Sequence, residues 1–478
     1  MARGKLEFLS KEEINRIHIT SLRVLDEIGI ALLSDSVRKL LEDYGAIRSK
    51  DGKRMLIPES VVKSAILSAP KSILFAARDK KYDFTTPSED KLFVANGGEG
   101  IYVKNLLTGD SYPSTNDDLR DFTIFANELP QVDFIWGMVG ALDQPLFLKE
   151  LVEVKTCFEY TTKHVQSGPL TAEQARDMVA LTSILTDGAD ELAKRPILSA
   201  VVCPISPLTF EKGLAEAQVE LARASIPVVA MSASLAGITS PVTLSGTIVQ
   251  VNAENLASLV ITQAAKKGAP WIYSSDSSPA DLQSGSIDYE AFEAPLLRTG
   301  AGQMGKHYGF STMVSGASLE NRSLSLRTVQ DGLPHMIIES IIPSDLGTGM
   351  GGIDQAAGAS FEQFLVDAWV WELAREFART FETDESAISI ETIREAASDG
   401  TYLNKKHTLS RYRKEFLSTT RPEVASKGEE KIEKKGAILR KAREEAEKLL
   451  KKPKTILVSK EESREMEKFI KNIASKLQ

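Results

Sequence analysis

PSDLGTGMGGIDQAAGASFEQFLVDAWVWELAREF (343–377) contains a strand, a loop and a helix in one uninterrupted run. SDLGTGMGG (344–352) reads as the end of a buried strand. Glycines at 347, 349, 351, 352 and 358 line the loop that follows. Glycine lacks Cβ and tolerates positive φ, so this loop can turn sharply or let backbone approach a ligand. Ser360 stands where an N-cap belongs, and an amphipathic helix follows it.

The same unit recurs upstream. Apolar runs appear at LFVANG (92–97), FIWGMVG (134–140), HVQSG (164–168), ILSAVVCP (197–204), PVVAMSAS (227–234), PWIYSSDS (270–277) and FSTMVSGA (310–317). Helical patterns separate them at Phe147–Tyr160, Thr171–Thr186, Phe210–Ala224, Leu244–Lys267, Tyr289–Tyr308 and Leu326–Ile341, and the pattern DDLRDFTIFANEL, capped by Thr115 or Asn116, follows the first. Continuous apolar strands between helices indicate a parallel sheet covered on both faces. Eight strand–helix units between residues 91 and 380 predict an α/β fold, a (β/α)8 TIM barrel. A doubly wound open sheet is the alternative, weakened because no GxGxxG follows the first strand.

Residues 1–90 read as an N-terminal helical cap, with a Ser10/Glu13 capping box, further helices at Ser34–Tyr44 and Pro58–Leu67, and a strand at 72–79. IYVKNLLTGDSYPS (101–114) reads as a hairpin turning at Thr108-Gly109-Asp110. Residues 381–478 read as a C-terminal helical extension. Its charged helix runs from Ala425 to Lys452, with Ile432, Ile438, Leu439, Ala442, Leu449 and Leu450 facing the body of the protein.

The chain has 478 residues, is 42% hydrophobic and carries a net charge of −8. That acidity argues against a nucleic-acid partner. Two cysteines, Cys157 and Cys203, and five histidines give no zinc-type ligand pattern. Two thiols suit a reducing cytoplasm, the N-terminus shows no apolar targeting segment, and no run of about 18 apolar residues predicts a membrane span.

In a barrel of this kind, ligand groups stand at the C-terminal strand ends. These positions hold Glu99 after the first strand, Trp136 and Met138 on the second, and Gln166 and Ser167 on the third. Cys203, Ser206 and Ser232 follow. Tyr273 and Asp276 mark the sixth strand, Ser315 the seventh, and Thr348, Gly349 and Met350 the eighth, with Phe361 close behind. This rim shows no His, no Lys and no Ser-His-Asp set, so no catalytic side chain and no metal are expected. A carboxylate with aromatic faces suits an onium cation that needs no covalent attachment. For Trp136 and Tyr273 a plain core role is the competing reading, and for Cys203 a small buried side chain is preferred.

The chain resembles the trimethylamine methyltransferase family, in the non-pyrrolysine branch that includes glycine betaine:corrinoid methyltransferases. The resemblance is carried in order by GGEGIYVKNLLTGDSYPSTNDDLRDF (97–122), CPISPLTF (203–210), GITSPVTLSGTIVQVNAENLASLVITQAAKKGAPWIYSS (237–275), GGIDQAAGASFEQFLVDAWVWELAREF (351–377) and YLNKKHTLSRYRKEF (402–416). It implies methyl transfer from a quaternary amine to the Co(I) corrinoid (cobalamin) of a separate small protein, by a cytoplasmic homo-oligomer that holds no tightly bound cofactor. Glu99 would then be the counter-charge. Trp136, Tyr273 and Phe361 would cage the onium, Gln166 and Asp276 would orient polar groups, and Gly349 and Gly351 would allow the close approach under the corrinoid. Two places depart from the family pattern. SLENRSLSLRTVQDGLPHM (318–336) replaces a stretch resembling TDSK-PD-QAGYE, and Thr348 stands where some betaine-type relatives carry His. The departures imply a quaternary amine with a different polar end, or a substrate outside the family's known set. A barrel lyase or aldolase and a non-catalytic binding protein are the rival functions.

Overall fold

The computed structural model describes residues 4–319, 326–416 and 437–477. Eight parallel strands form its central sheet: β1 Phe93–Asn96, β2 Ile135–Trp136, β3 Val165–Ser167, β4 Leu198–Val202, β5 Val228–Ser232, β6 Trp271–Ser275, β7 Thr312–Gly316 and β8 Leu346–Met350. Their order is β1-β8-β7-β6-β5-β4-β3-β2, which leaves β1 and β2 at the two edges. A parallel bridge between Ala95 and Phe134 joins those edges. Asp133 reinforces the seam: its N–H donates to Val94 O at 2.7 Å, and its Oδ2 accepts from Val94 N–H at 2.9 Å. The Asn96 side-chain amide then bonds both the N–H and the C=O of Trp136, standing in for a ladder partner where the two strands diverge. The sheet is thus a closed barrel.

Each strand leads to a barrel helix: α1 Asn116–Glu128, α2 Lys149–Tyr160, α3 Ala172–Ser183, α4 Lys212–Arg223, α5 Leu244–Ala265, α6 Ala294–His307, α7 Leu326–Ile341 and α8 Phe361–Phe377. Local signals set their starts. Thr115 and Asp118 form a capping box for α1, and Ser360 accepts from Gln363 N–H at the head of α8. Helix α5 is buried nearly all round, because the helix Lys11–Arg23 and its neighbours pack over its outer side.

Strand alternation divides the apolar side chains between two cores. One parity faces the helices. The other fills the barrel with Ala95, Val201, Val229, Met231, Ile272, Met313 and Leu346. The stretch expected to be a lone strand at 72–79 is instead half of a hairpin, Ile73–Phe75 paired with Phe84–Thr86. Phe75 and Phe84 stack at 4.9 Å and close the barrel floor against Phe93, Phe134 and His164. Burying one such ring contributes about 1.5–3 kcal/mol.

At the opposite end, the Tyr102–Lys104/Ser111–Pro113 hairpin joins the strands Gly352–Ile353 and Gly358–Ala359 in a small sheet above β1 and β8. After α8 come three short helices, Glu385–Ile388, Ile390–Asp399 and Lys406–Glu415. Helix Ala437–Leu450 then packs back on α8 through buried Ala442 and Ala446, with Leu449 and Leu450 partly buried. Residues 425–436, which include Ile432, and the side chains of Ile438 and Leu439 lie outside the described residues. A further helix, Lys460–Leu477, rests on α2 through Met466 and its neighbours. Among the described residues no helix is long and apolar enough to cross a membrane.

Candidate functional site

Helix starts and strand ends of the upper face surround the barrel mouth. After β1 the chain runs on beside residues 137–139, and Glu99 N–H donates to Gly137 O at 2.8 Å. Glu99 itself has φ of 62°, uncommon for a residue with a side chain. Two glycines make room for this arrangement. A Cβ on Gly98 would lie 2.4 Å from the Trp136 indole, and one on Gly168, past the end of β3, would lie 2.8 Å from Glu99 Oε1.

Glu99 keeps a solvent-exposed surface at the mouth, yet it is sunk deeply enough among protein groups for burial to raise its pKa. Lys149 pulls that pKa down, and Glu150 pushes it up again. The last two residues come from the first turns of α2, together with Glu153. Lys149 Nζ lies 3.1 Å from Glu153 and 3.4 Å from Glu150. Glu153 accepts from Ala141 N–H at 2.6 Å, and Glu150 accepts from Gln174 at 2.8 Å. Burial pushes the Glu153 carboxyl up to about 7, against the pull of Lys149. Burial also disfavours the Lys149 ammonium, but Glu153 and Glu150 outweigh it and its pKa rises. Three carboxylates thus share one ammonium on this wall.

Trp136 and Gln166 complete the wall. Together with Glu99, Glu153, Cys157 and Ser167 they line a narrow cleft between β2, β3 and α2. Gln166 is fully buried, and its Oε1 lies 3.4 Å from Ser199 Oγ. Among the described residues its Nε2 has no hydrogen-bond partner, and the Trp136 indole interacts with Glu99 and helps lower its pKa. Below them, His164 Nδ1 donates to Ala76 O at 2.8 Å and Nε2 accepts from Ser199 Oγ at 2.9 Å, and burial holds the ring's pKa down at about 4.

The wall across the mouth is built from the ends of β6 and β7. Tyr289 Oη donates to Asp276, and Arg298 Nη2 lies 3.8 Å from Asp276 Oδ1. Arg298 Nη1 is 2.8 Å from Glu339 Oε1, while Glu339 Oε2 accepts from Gly316 N–H at 2.8 Å. Burial raises the Asp276 pKa, and Arg298 works against it. Cys203 lies on the β4 wall. Burial and the charges of Glu99 and Asp276 push its thiol up to about 12, which keeps it protonated.

The expected site residues separate into two groups. Glu99, Trp136, Gln166 and Asp276 stand around the mouth. Thr348 and Gly349 also reach it, both half-buried, and Thr348 Oγ1 donates to Asn96 O at 2.6 Å. Tyr273 does not. It lies on the helix-facing side of β6, fully buried, and donates to Asn252 at 3.3 Å. Strand parity sends Ile272 inward and Tyr273 outward. Phe361 is also misplaced by the cage reading. It stacks on Phe122 at 3.8 Å and packs against Phe125 between α8 and α1. Gly351 is buried below the rim, where a Cβ would lie 2.9 Å from the Phe364 ring, and its N–H donates to Asp367 at 2.9 Å. Its glycine serves this packing and a φ of 85° rather than a ligand's approach.

The reading that the rim lacks Lys overlooked Lys149, because it stopped at the strand ends. Glu150, Glu153, Arg298 and Glu339 were missed likewise. A signal existed for some of them. Glu150 and Glu153 share the helix face that carries Val154 and Cys157, so acids occupy core positions. Of the divergent segment at 319–335, residues 320–325 lie outside the described residues. Leu319 N–H donates to Asp367 at 3.0 Å, and His335 meets the Phe292 ring edge-on.

Comparison with known proteins adds a family. The family model described as trimethylamine methyltransferase (MTTB) matches residues 2–477. A trimethylamine methyltransferase of Desulfitobacterium hafniense is 25% identical over 409 residues, covering 86% of this chain and 82% of its own. A glycine betaine methyltransferase of the same species is 24% identical over 418 residues, covering 87% and 86%. A solved structure, the monomethylamine methyltransferase of Methanosarcina barkeri, aligns with a TM-score of 0.49 at 11% identity, over 94% of this chain and 95% of that one.

Proposed function

This chain belongs to the trimethylamine methyltransferase family, and on that premise we propose that it moves a methyl group from a quaternary amine to the Co(I) corrinoid of a separate small protein. The observation that carries the reading is the wall at Glu99, where three carboxylates share one lysine beside an indole. Such a wall attracts an onium cation by Coulomb force and by the ring quadrupole. It would repel an anionic substrate.

The reaction is displacement at a methyl carbon. The methyl passes to cobalt as the C–N bond breaks, and the amine leaves neutral with the electron pair of that bond. No proton has to move, so the protein's work is positioning and exclusion of water. Glu99 would hold the ammonium, Trp136 would flank it, and Gln166 would orient the polar end. Thr348 and Gly349 border the opening through which the corrinoid would reach the methyl group.

The upper face also fits a protein partner. Each of the first six strand–helix loops exposes a large apolar side chain, among them Ile101, Phe147, Leu170, Ile205, Val242 and Phe292. An apolar ring around a polar mouth is a docking surface for a domain that must cover it. In this reading residues 1–90 cap the barrel of 91–380, and 381–478 extend it. Phe381 and Leu403 are exposed on that extension and would receive a second copy in a homo-oligomer. The free thiols Cys157 and Cys203 accord with a cytoplasmic setting.

The test is direct. The protein is mixed with a Co(I) corrinoid, free or protein-bound, and a panel of methylated amines, and the Co(I) absorbance is followed. Loss of Co(I) with a quaternary amine is expected.

A further inference from the structure

Trp136 is held from three sides by one short stretch of chain. Beyond β1 the backbone runs on beside residues 136–139: Glu99 N–H donates to Gly137 O at 2.8 Å, and Gly100 N–H donates to Met138 O at 3.1 Å. From this stretch Asn96 grips the Trp136 backbone at both its N–H and its C=O. Glu99 takes the indole N–H, the one polar group of that side chain. Gly98 lies against the ring itself.

The contact with Gly98 is a face contact. A Cβ there would lie 2.4 Å from Trp136 Cδ2, 2.5 Å from Cε2 and 2.8 Å from Cγ. Cδ2 and Cε2 form the bond shared by the two rings. That bond has no outer edge, so Gly98 stands over the flat of the indole. Backbone conformation does not call for glycine here, because the φ of Gly98 is outside the left-handed region. Gly351 is the opposite case: its φ is 85°, and the ring it meets, Phe364, is fully buried. Trp136 is only half-buried and keeps open surface. With one face on Gly98 and the N–H edge on Glu99, the face left for a ligand is the one turned away from Gly98. A cation resting there meets the ring's negative face with the Glu99 carboxylate beside it.

We propose that Gly98 is a positioning residue for the onium: it seats the Trp136 indole so that only the opposite face receives the ammonium head. This deepens the methyl-transfer reading and rests on it. The seat fixes the side from which the head is held, and so the direction in which a methyl group is presented.

The test is a double-mutant cycle on the full-length protein, read by calorimetric titration with tetramethylammonium. Gly98→Ala should weaken binding at least fivefold. In a Trp136→Leu background the same change should weaken it less than twofold, because the ring that the new methyl displaces is gone. A smaller loss in the first case, or a loss of equal size in both backgrounds, overturns the proposal. Should Gly98→Ala alone not fold, the double variant should fold and melt within a few degrees of Trp136→Leu, and failure of both overturns the assignment. Tryptophan emission adds a signal that packing alone would not move. Saturating tetramethylammonium should change the emission of the unaltered protein, and the change should vanish in Trp136→Leu although the chain has four tryptophans. An unchanged emission, or a change that survives in Trp136→Leu, overturns the seat. Parallel Co(I) assays separate the two levels. If tetramethylammonium binds and is demethylated while the cycle shows no coupling, only the role of Gly98 falls. If no methylated ammonium binds, both readings fall.

Discussion

The two walls of the barrel mouth are built from similar groups and end in opposite states. On the wall of β6 and β7, Asp276, Tyr289, Arg298 and Glu339 satisfy one another, with Gly316 N–H filling a remaining position on Glu339. On the wall of β1–β3, Glu150 and Glu153 pair with Lys149, Glu99 feels its charge, and among the described residues Gln166 Nε2 has no partner. Buried polar groups are ordinarily paired. The paired wall therefore reads as structure, and the unpaired one as a place for a ligand.

The largest effect expected from this contrast is on binding. Glu99→Gln should weaken a quaternary ammonium by about 2–4 kcal/mol, the range for truncating a buried charge pair. Asp276→Asn should change the same affinity less than threefold, because its carboxylate is committed to Arg298 and Tyr289. Titration calorimetry reads both, and equal effects would erase the distinction between the walls.

Stability should respond in the reverse sense. Arg298→Met leaves Glu339 and Asp276 without their cation and should cost about 3 kcal/mol in urea unfolding. Glu99→Gln removes a surplus charge and should cost nothing or stabilise slightly. A Glu99→Gln protein that unfolded as readily as Arg298→Met would contradict the account.

A smaller contrast concerns two glycines. Gly168→Ala places a Cβ 2.8 Å from Glu99 Oε1, and Gly316→Ala places one 2.7 Å from Arg298 Nη1. The first should weaken cation binding several-fold with little change in melting temperature. The second should lower the melting temperature with little change in binding.

The smallest effect is on pH dependence. Glu153, pushed up to about 7, becomes ionised as pH climbs from 5 to 8, so cation affinity should rise a few-fold over that interval. Stability moves the other way. Burial raises the folded-state pKa of Glu153 and of Asp367 to about 7, from ordinary values of 4.5 and 3.8. Their contribution is therefore fully present below those ordinary values and is lost as pH rises through about 7. Affinity and melting temperature that rose together would rule out these groups as the source.

Much of the architecture was readable from periodicity. Apolar runs separated by helical patterns set all eight strands and their helices, and Ser360 and Thr115 marked helix starts. Parity was not readable. Which of Ile272 and Tyr273 faces the barrel depends on register against β5 and β7, and that is fixed only when the sheet closes. Phe361 failed for a similar reason: the first residue of a helix can face the mouth or the neighbouring helix, and Phe122 and Phe125 draw it to α1. The position of Glu99 at the barrel mouth was legible, because it follows paired glycines at the end of the first strand. Lys149 was not, because an isolated helix gives no sign that its first turn overhangs a strand end. In the tail, the helix Lys460–Leu477 went unread, although Met466, Phe469, Ile470 and Ile473 stand at helical spacing.

The central claim is that the Glu99 wall presents a methylated onium to an external cobalt nucleophile. Its most direct measurement is the Co(I) absorbance of a reduced corrinoid mixed with this protein and a quaternary ammonium compound, run beside Glu99→Gln. The account predicts that Co(I) decays as methylated corrinoid forms, and that the decay slows about a hundredfold at subsaturating substrate in the variant. Co(I) that persists with every quaternary ammonium compound tried, or decays equally fast without Glu99, would contradict it.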